Sequence, residues 1–356
     1  VEVQVGRLKS LRTIDILQLN ELILAINKIL TEPFMINWGI IGCGDVTEVK
    51  SGPAFNKVPG SKLIAVMRRD GTRAADYARR HQVDRWYTDA DALIRDPEVN
   101  AIYIATPPDA HEKYTLAAIA AGKPVYVEKP MALNYAGAKN MASAAAEAGV
   151  KLTVAHYRRQ WPMFLKLKAL LQQQVIGEIR LVQLQFCKPA QTATELADEK
   201  NAWRVNPAIS GGGLFHDLAP HQLDILYNLF GEAERVSGLA ANQGRIYTAD
   251  DIVTGTIRFA SGIIFSGTRC FTAGESSDYC EIIGSTGTLH FSFFSKQGIR
   301  LTVNGQTTVY EFDPLQHVQQ PMIAETVNFF AGKAPNPCTG EEGAEIMRWI
   351  ALMARS

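Results

Sequence analysis

The feature that most restricts the fold of this chain is an apolar run, Trp38-Gly-Ile-Ile41, that stops abruptly in Gly42-Cys43-Gly44-Asp45-Val46-Thr47. The pattern predicts a short buried strand, a glycine turn, a helix reaching about Lys57 and a second strand over 62–67. That order within roughly 30 residues is the βαβ setting in which a glycine turn holds a dinucleotide. Gly42 permits the tight turn, Gly44 lets backbone approach a pyrophosphate, and the helix opening at Asp45 and Val46 offers N–H groups to it. Thr47 stands where such turns usually carry a third glycine, a departure expected to loosen helix–strand packing.

The alternation continues. Helices are predicted near 74–81, 90–94, 112–121 and 134–148, and strands near 86–88, 101–105, 124–127 and 151–155, with Gly122 as a helix stop. Such a rhythm implies a doubly wound, mostly parallel sheet. Ligands bind these sheets beyond the strand carboxyl ends, where Thr106, Pro107, His111, Glu128, Lys129 and His156 fall.

After Trp161-Pro162 the rhythm changes. A helix over 163–173, a strand over 178–187, a long loop to Gly213 and a helix over 216–229 precede several strand-like segments between 234 and 312. Helices near 315–331 and 341–354 close the chain. Consecutive strands imply an open, largely antiparallel sheet. The expected fold class is therefore α/β, an N-terminal Rossmann sheet over 35–156 followed by a second α/β domain over 157–356. Residues 1–34 differ: Ile16, Leu19, Ile23, Ile26 and Leu30 form one helical stripe. Met35 directly precedes the first strand, so 1–34 read either as an appended extension or as a helix docked on the first domain or on a partner subunit.

Totals exclude several function classes. With 36 basic and 36 acidic residues the chain has no net field for nucleic acid or an anionic membrane. No apolar run reaches the about 18 residues needed to span a bilayer. Five scattered cysteines without a C-x-x-C pair read as reduced thiols of a cytoplasmic protein and argue against a metal site.

Three clusters could carry chemistry. Lys129 ends the Val125-Tyr-Val-Glu-Lys129-Pro130 run, where a partly buried ammonium can polarise a substrate oxygen. Asp217 and His221 are four apart, on one helix face, so the carboxylate could orient an imidazole for proton transfer. Gly211-Gly-Gly213 just before them could bring backbone close to a ligand. Tyr157, Arg158, Arg159, Trp203 and Arg204 combine aromatic faces with guanidinium groups, which suits a polyhydroxylated ligand and equally suits domain packing. At the end of the second strand, Arg68, Arg69 and Arg73 favour a ribose 2′-phosphate and hence NADP, while Asp70 keeps NAD in play.

Together these residues resemble the Gfo/Idh/MocA family, named for glucose–fructose oxidoreductase and inositol dehydrogenase. The motifs are Gly42-Cys-Gly44, Ala105-Thr-Pro-Pro108 with His111, Gly122-Lys-Pro-Val-Tyr-Val-Glu-Lys-Pro130, and Gly211-Gly-Gly213 with Asp217 and His221. The likeness runs from about Asn37 to the C-terminus. It implies a nicotinamide cofactor, a sugar or cyclitol substrate, and a homodimer or homotetramer formed through the open sheet. By position Lys129 matches the family's EKP lysine, and Asp217 and His221 match its D-x-x-x-H pair. The expected reaction is hydride transfer at a carbinol carbon, with His221 moving the proton, Lys129 stabilising the alkoxide and Asp217 holding the imidazole. Rival readings are an NAD-dependent glycosidase of the same family and a non-catalytic dinucleotide sensor.

Overall fold

A computed structural model describes residues 35–295 and 298–354. The helix expected within 1–34 lies outside the described residues. Among those described, one sheet contains β1 (Ile36–Ile41), β2 (Ser61–Met67), β3 (Arg85–Tyr87), β4 (Ala101–Ile104), β5 (Val125–Val127) and β6 (Leu152–Val154). Their order is β3-β2-β1-β4-β5-β6, and every neighbouring pair is parallel. Strands covered by helices on both faces must be apolar throughout, which is why β1, β4 and β5 read as unbroken hydrophobic runs. The strand order reverses between β1 and β4, so a crevice opens at their carboxyl ends.

The helix expected to reach Lys57 is broken in two, Asp45–Val49 and Gly52–Phe55. Pro53 is the cause: it has no N–H to donate to the Val49 carbonyl four residues back. That carbonyl instead accepts from His317 Nδ1 at 2.6 Å. The next one, Lys50 O, accepts from the Gln319 N–H at 3.1 Å. A single proline thereby creates the attachment point for a segment more than 260 residues away. Thr47 does not loosen the packing. It is fully buried, its hydroxyl folds back onto Gly44 O at 2.8 Å, and close approach is provided by Gly52, whose added Cβ would lie 2.3 Å from Thr47 O.

The second sheet runs β14-β13-β12-β11-β7-β10-β9-β8. Its strands are β7 (Ile179–Cys187), β8 (Ala233–Ala241), β9 (Ile252–Phe259), β10 (Ile264–Cys270), β11 (Ser277–Gly284), β12 (Gly287–Phe291), β13 (Ile299–Val303) and β14 (Gln306–Tyr310). All neighbours are antiparallel except β7 and β10. Side chains alternate between faces: Val253, Ile257, Phe259 and Phe265 point into the core, where the helices Leu214–Phe230 and Gly340–Met353 pack. The latter helix also packs on Tyr135–Ala148 of the first sheet, so one element is shared by both layers. Gly340 and Gly343 make this possible. A Cβ at Gly343 would sit 2.6 Å from Val154 Cγ2.

The loop expected over 188–213 is instead a chain of short turns: Ala193–Ala197, Glu199–Ala202, Trp203–Val205 and Pro207–Ser210. Thr192 and Glu195 form a capping box, and the Asn206 side chain caps the turn that Pro207 opens. The described cysteines are all free thiols. Among the described residues no helix is long and apolar enough to cross a membrane.

Arg159, expected against a ligand, is turned into the core. Tyr157–Gln160 forms one 3-10 turn, with about 120° between successive side chains, so Arg158 and Arg159 leave in different directions. Arg159 pairs with Asp224 at 2.7 Å and Glu342 at 2.8 Å, joining this turn to the Leu214–Phe230 and Gly340–Met353 helices. Arg159→Met would leave the Asp224 carboxylate buried and uncompensated. The expected loss of about 3–5 kcal/mol should appear as a lower urea midpoint at unchanged slope.

Candidate active site

A cleft of about 1300 Å³ opens at the carboxyl ends of β1, β4 and β5 and is walled on its far side by the 197–209 turns and the start of the Leu214–Phe230 helix. Its floor begins at Gly42, which has φ +95°, a value open to glycine and strained for other residues. A Cβ there would meet Thr106 N and Cγ2 at 2.8 Å. Gly44 has only Gly42 O near its Cβ position, at 3.9 Å, and the helix it opens has no side-chain cap. This is a smooth backbone cradle of the kind a pyrophosphate needs. Asp45, Val46, Thr106 and Pro107 line the cleft with it, and Arg68, Arg69 and Arg73 line the end beyond β2. Arg68 is braced by a 3.2 Å bond to Cys43 O. Asp70 is occupied as the N-cap of Gly71–His81: it accepts from Arg73 N at 3.1 Å and faces Arg73 Nε at 3.4 Å.

At the other end Lys129 extends from β5, followed by a cis peptide to Pro130. Its ammonium donates to Asp217 O and to Asp217 Oδ1, each at 2.9 Å. The second carboxylate oxygen of Asp217 meets Arg204 Nε at 3.2 Å. Burial pushes the Asp217 carboxyl up, but Lys129 and Arg204 more than offset this and hold it below the usual carboxylate range. The expected Asp217–His221 contact is therefore replaced. Two cations outcompete a neutral ring for one carboxylate, and His221 Nδ1 is buried with no hydrogen-bond partner. The His221 ring packs edge-on to Tyr157 at 5.2 Å and to Phe294 at 5.9 Å. Burial, then the Lys129, Arg158 and Lys50 cations, push its pKa well below the ordinary imidazole value, so it is neutral at pH 7.

Beneath Lys129 lies a buried polar network. Glu128 is 5% exposed. Its Oε1 accepts from Tyr103 OH at 2.6 Å and from Gln319 Nε2 at 2.5 Å, and its Oε2 from the Lys129 amide at 3.2 Å. Tyr126 OH donates to Gln319 Oε1 at 3.1 Å. Burial, then Glu128, raises the Tyr103 hydroxyl well above its ordinary pKa, so it remains a donor.

Tyr157, Arg158, Trp203, Arg204, Asp217 and His221 all line the cleft. His111 does not. It is 1% exposed and its ring nitrogens face Thr106 O at 2.7 Å and Pro130 O at 2.9 Å, so it ties two cleft loops together from below. His156 is likewise buried, 3.6 Å from Asp224. The Gly211-Gly-Gly213 run also stays out of the cleft. Gly211 packs on the Leu133 carbonyl and Gly213 on Ala249, which sets how the following helix enters. Lys50 and Phe294 are among the cleft residues that escape sequence reasoning. Lys50 follows the broken first helix, and Phe294 sits in a loop whose N–H groups at 293, 294 and 295 are held by Asp278 at 3.0, 2.6 and 3.1 Å. Pro53 is the one available signal for the former; nothing in the spacing announces the latter.

Residues 36–156 match the family model described as an oxidoreductase family with an NAD-binding Rossmann fold, and 164–290 match the Gfo/Idh/MocA C-terminal domain. The chain belongs to the Gfo/Idh/MocA oxidoreductase family. An oxidoreductase of Formosa agariphila is 46% identical over 311 residues, covering 87% of this chain and 96% of its own. The 1,5-anhydro-D-fructose reductase of Ensifer adhaerens is 30% identical over 258 residues, 72% of this chain and 75% of its own. A levoglucosan dehydrogenase solved with NADH and levoglucosan shares the fold, with a TM-score of 0.79 at 21% identity over 89% of this chain and 96% of that one.

As a Gfo/Idh/MocA member the protein is an NAD(P)-binding dehydrogenase or reductase, and its cleft matches that assignment at the glycine turn. In this Gfo/Idh/MocA chain Gln319 joins Glu128 to the Lys50 carbonyl. Gln319→Leu should leave the Glu128 carboxylate short of one buried donor, at a cost of about 1–3 kcal/mol measurable by chemical denaturation.

Proposed function

We propose that the protein moves a hydride between NADP and a ring carbinol carbon of a sugar-like substrate, in either direction. The observation that carries this reading is that Lys129 and His221, from different layers, face one cleft whose opposite end is the Gly42–Val46 turn. When bound, the nicotinamide supplies the hydride acceptor or donor. Lys129 has three N–H donors, of which Asp217 takes two, and the third is available to the substrate oxygen. Neutral His221 accepts the hydroxyl proton as the carbinol loses hydride and becomes a carbonyl, and returns it in the reverse reaction. Asp217 orients the ammonium, not the imidazole. The Arg68, Arg69 and Arg73 end of the cleft, with Asp70 engaged as a helix cap, favours a 2′-phosphate. The curated relatives named above are an oxidoreductase and a reductase, so the hydrolytic alternative is not favoured.

Pairing of two chains is proposed through the outer face of the second sheet, where Leu239, Ile264 and Tyr279 are exposed. Light scattering should then give twice or four times the chain mass, and a monomer at micromolar concentration would refute it.

Lys129→Met should lower kcat by about 100-fold or more while NADPH binding, read by fluorescence, changes little. Unchanged turnover would remove Lys129 from the mechanism. The pH profile follows from His221. Oxidation needs the neutral ring, and the lowered pKa keeps it neutral as pH falls through 6.5. Oxidation kcat should therefore hold flat down to about pH 6, where an ordinary histidine (pKa ~6.5) would already be mostly protonated. An acid limb centred at 6.5 or above contradicts this role.

A further inference from the structure

The substrate end of the cleft has an imbalance of charge that hydride transfer to a neutral sugar does not need. Four cations line it, Lys50, Lys129, Arg158 and Arg204, against the carboxylates of Glu128, Asp198 and Asp217. Glu128 is sealed beneath the floor by Tyr103 and Gln319, and Asp217 is shared between Lys129 and Arg204. Lys50 and Arg158 form no carboxylate ion pair among the described residues. Arg158 is 7% exposed and its Nε is buried without a partner. Its guanidinium is held in place by a 2.5 Å bond from Nη1 to Phe293 O and by the Trp161 and Phe294 rings, 4.2 and 4.6 Å from its centre. Asp278, whose charge acts on Arg158, spends its oxygens on three backbone N–H groups and makes no ion pair with it.

A guanidinium withdrawn from water with no carboxylate in ion-pair contact is costly, and stacking on two rings offsets only part of that cost. Fixing it so firmly at a ligand cleft makes sense when the ligand brings the missing charge, because oxyanion–guanidinium pairs are strong and directional once desolvated. Lys50, exposed into the same cleft, supplies a second positive group. Lys50, Arg158, Lys129 and His221 all line this one cleft, so a single small molecule can present an anion to the first two and a hydroxyl to the others.

We propose that the substrate is an anionic sugar, its carboxylate or phosphate seated by Lys50 and Arg158 while a ring hydroxyl meets Lys129 and His221. This rests on the hydride-transfer reading above and names its substrate class. The stacked Trp161–Arg158–Phe294 sandwich makes Arg158 the orienting group and Lys50 the steering one.

The test is initial-rate kinetics on the full chain with NADP and with NAD. The panel pairs neutral hexoses and inositol with glucuronate, galacturonate, gluconate and glucose 6-phosphate. An acidic sugar favoured at least 10-fold in kcat/KM over its neutral parent is the expected result, and the carboxylate and phosphate arms identify which oxyanion fits. Lys50→Met should cut that preference by 10-fold or more, chiefly through KM, with NADPH fluorescence confirming an intact cofactor site. Added salt should raise KM for the acidic sugar more than for the neutral one. Neutral sugars used as well as acidic ones would overturn the inference and leave the hydride-transfer reading standing. A preference that survives Lys50→Met would overturn the assigned seat. If no arm shows turnover with either cofactor, the hydride-transfer reading falls and this inference falls with it.

Discussion

The site depends on a carboxylate set into its floor. Glu128 is buried at the end of β5, and three donors hold it: Tyr103 from β4, Gln319 from the distant C-terminal segment, and the backbone amide of Lys129. A buried acid tolerates this position only while those bonds persist, so it locks together the elements that supply them. The bond from the Lys129 amide sets where the lysine leaves the sheet. Gln319 extends the same constraint to the Lys50 carbonyl, which is free because Pro53 interrupts the first helix. Two lysines of the cleft are thus positioned by one glutamine that belongs to neither element.

Above that floor, charge is distributed to leave His221 uncharged. The carboxylate one helical turn before it is fully used by Lys129 and Arg204. With cations nearby and aromatic edges on either side, the imidazole has little means of holding a second proton. In the proposed reaction a neutral ring is the form that accepts a proton, while the Lys129 ammonium on the same cleft would favour the developing negative oxygen. The same positive surroundings that suit an alkoxide also suit a substrate carrying its own anion, and Arg158 is the residue whose burial makes that second consequence specific.

Much of this arrangement is legible in the chain. Local rules are strong where one residue type has few alternatives: glycine at φ +95° in the first turn, β-branched and aliphatic runs in strands buried on both faces, Asp70 and Thr339 as helix caps. Lys129, two residues past β5, and His221, within the Leu214–Phe230 helix, both line the cleft at which the sequence points. The errors share a cause as well. Arg159 follows Arg158 directly, and only the pitch of a 3-10 turn sends one to the cleft and the other to Asp224. Gly211-Gly-Gly213 reads as a ligand loop, yet its glycines answer to Leu133 and Ala249, residues brought close by packing. The short turns between Thr192 and Ser210 carry a capping box at Thr192 and Glu195, a local signal present in the sequence.

The sequence by itself determined the layering, because period and turn chemistry act over a few residues and need no partner. It also determined that a glycine turn follows β1 and that a lysine stands just beyond β5. Tertiary structure alone decided which charges meet. Asp217 lies four residues from His221 along the helix but bonds to a lysine 88 positions earlier in the chain, since electrostatic competition is settled by distance in space and by desolvation, neither of which is written in spacing.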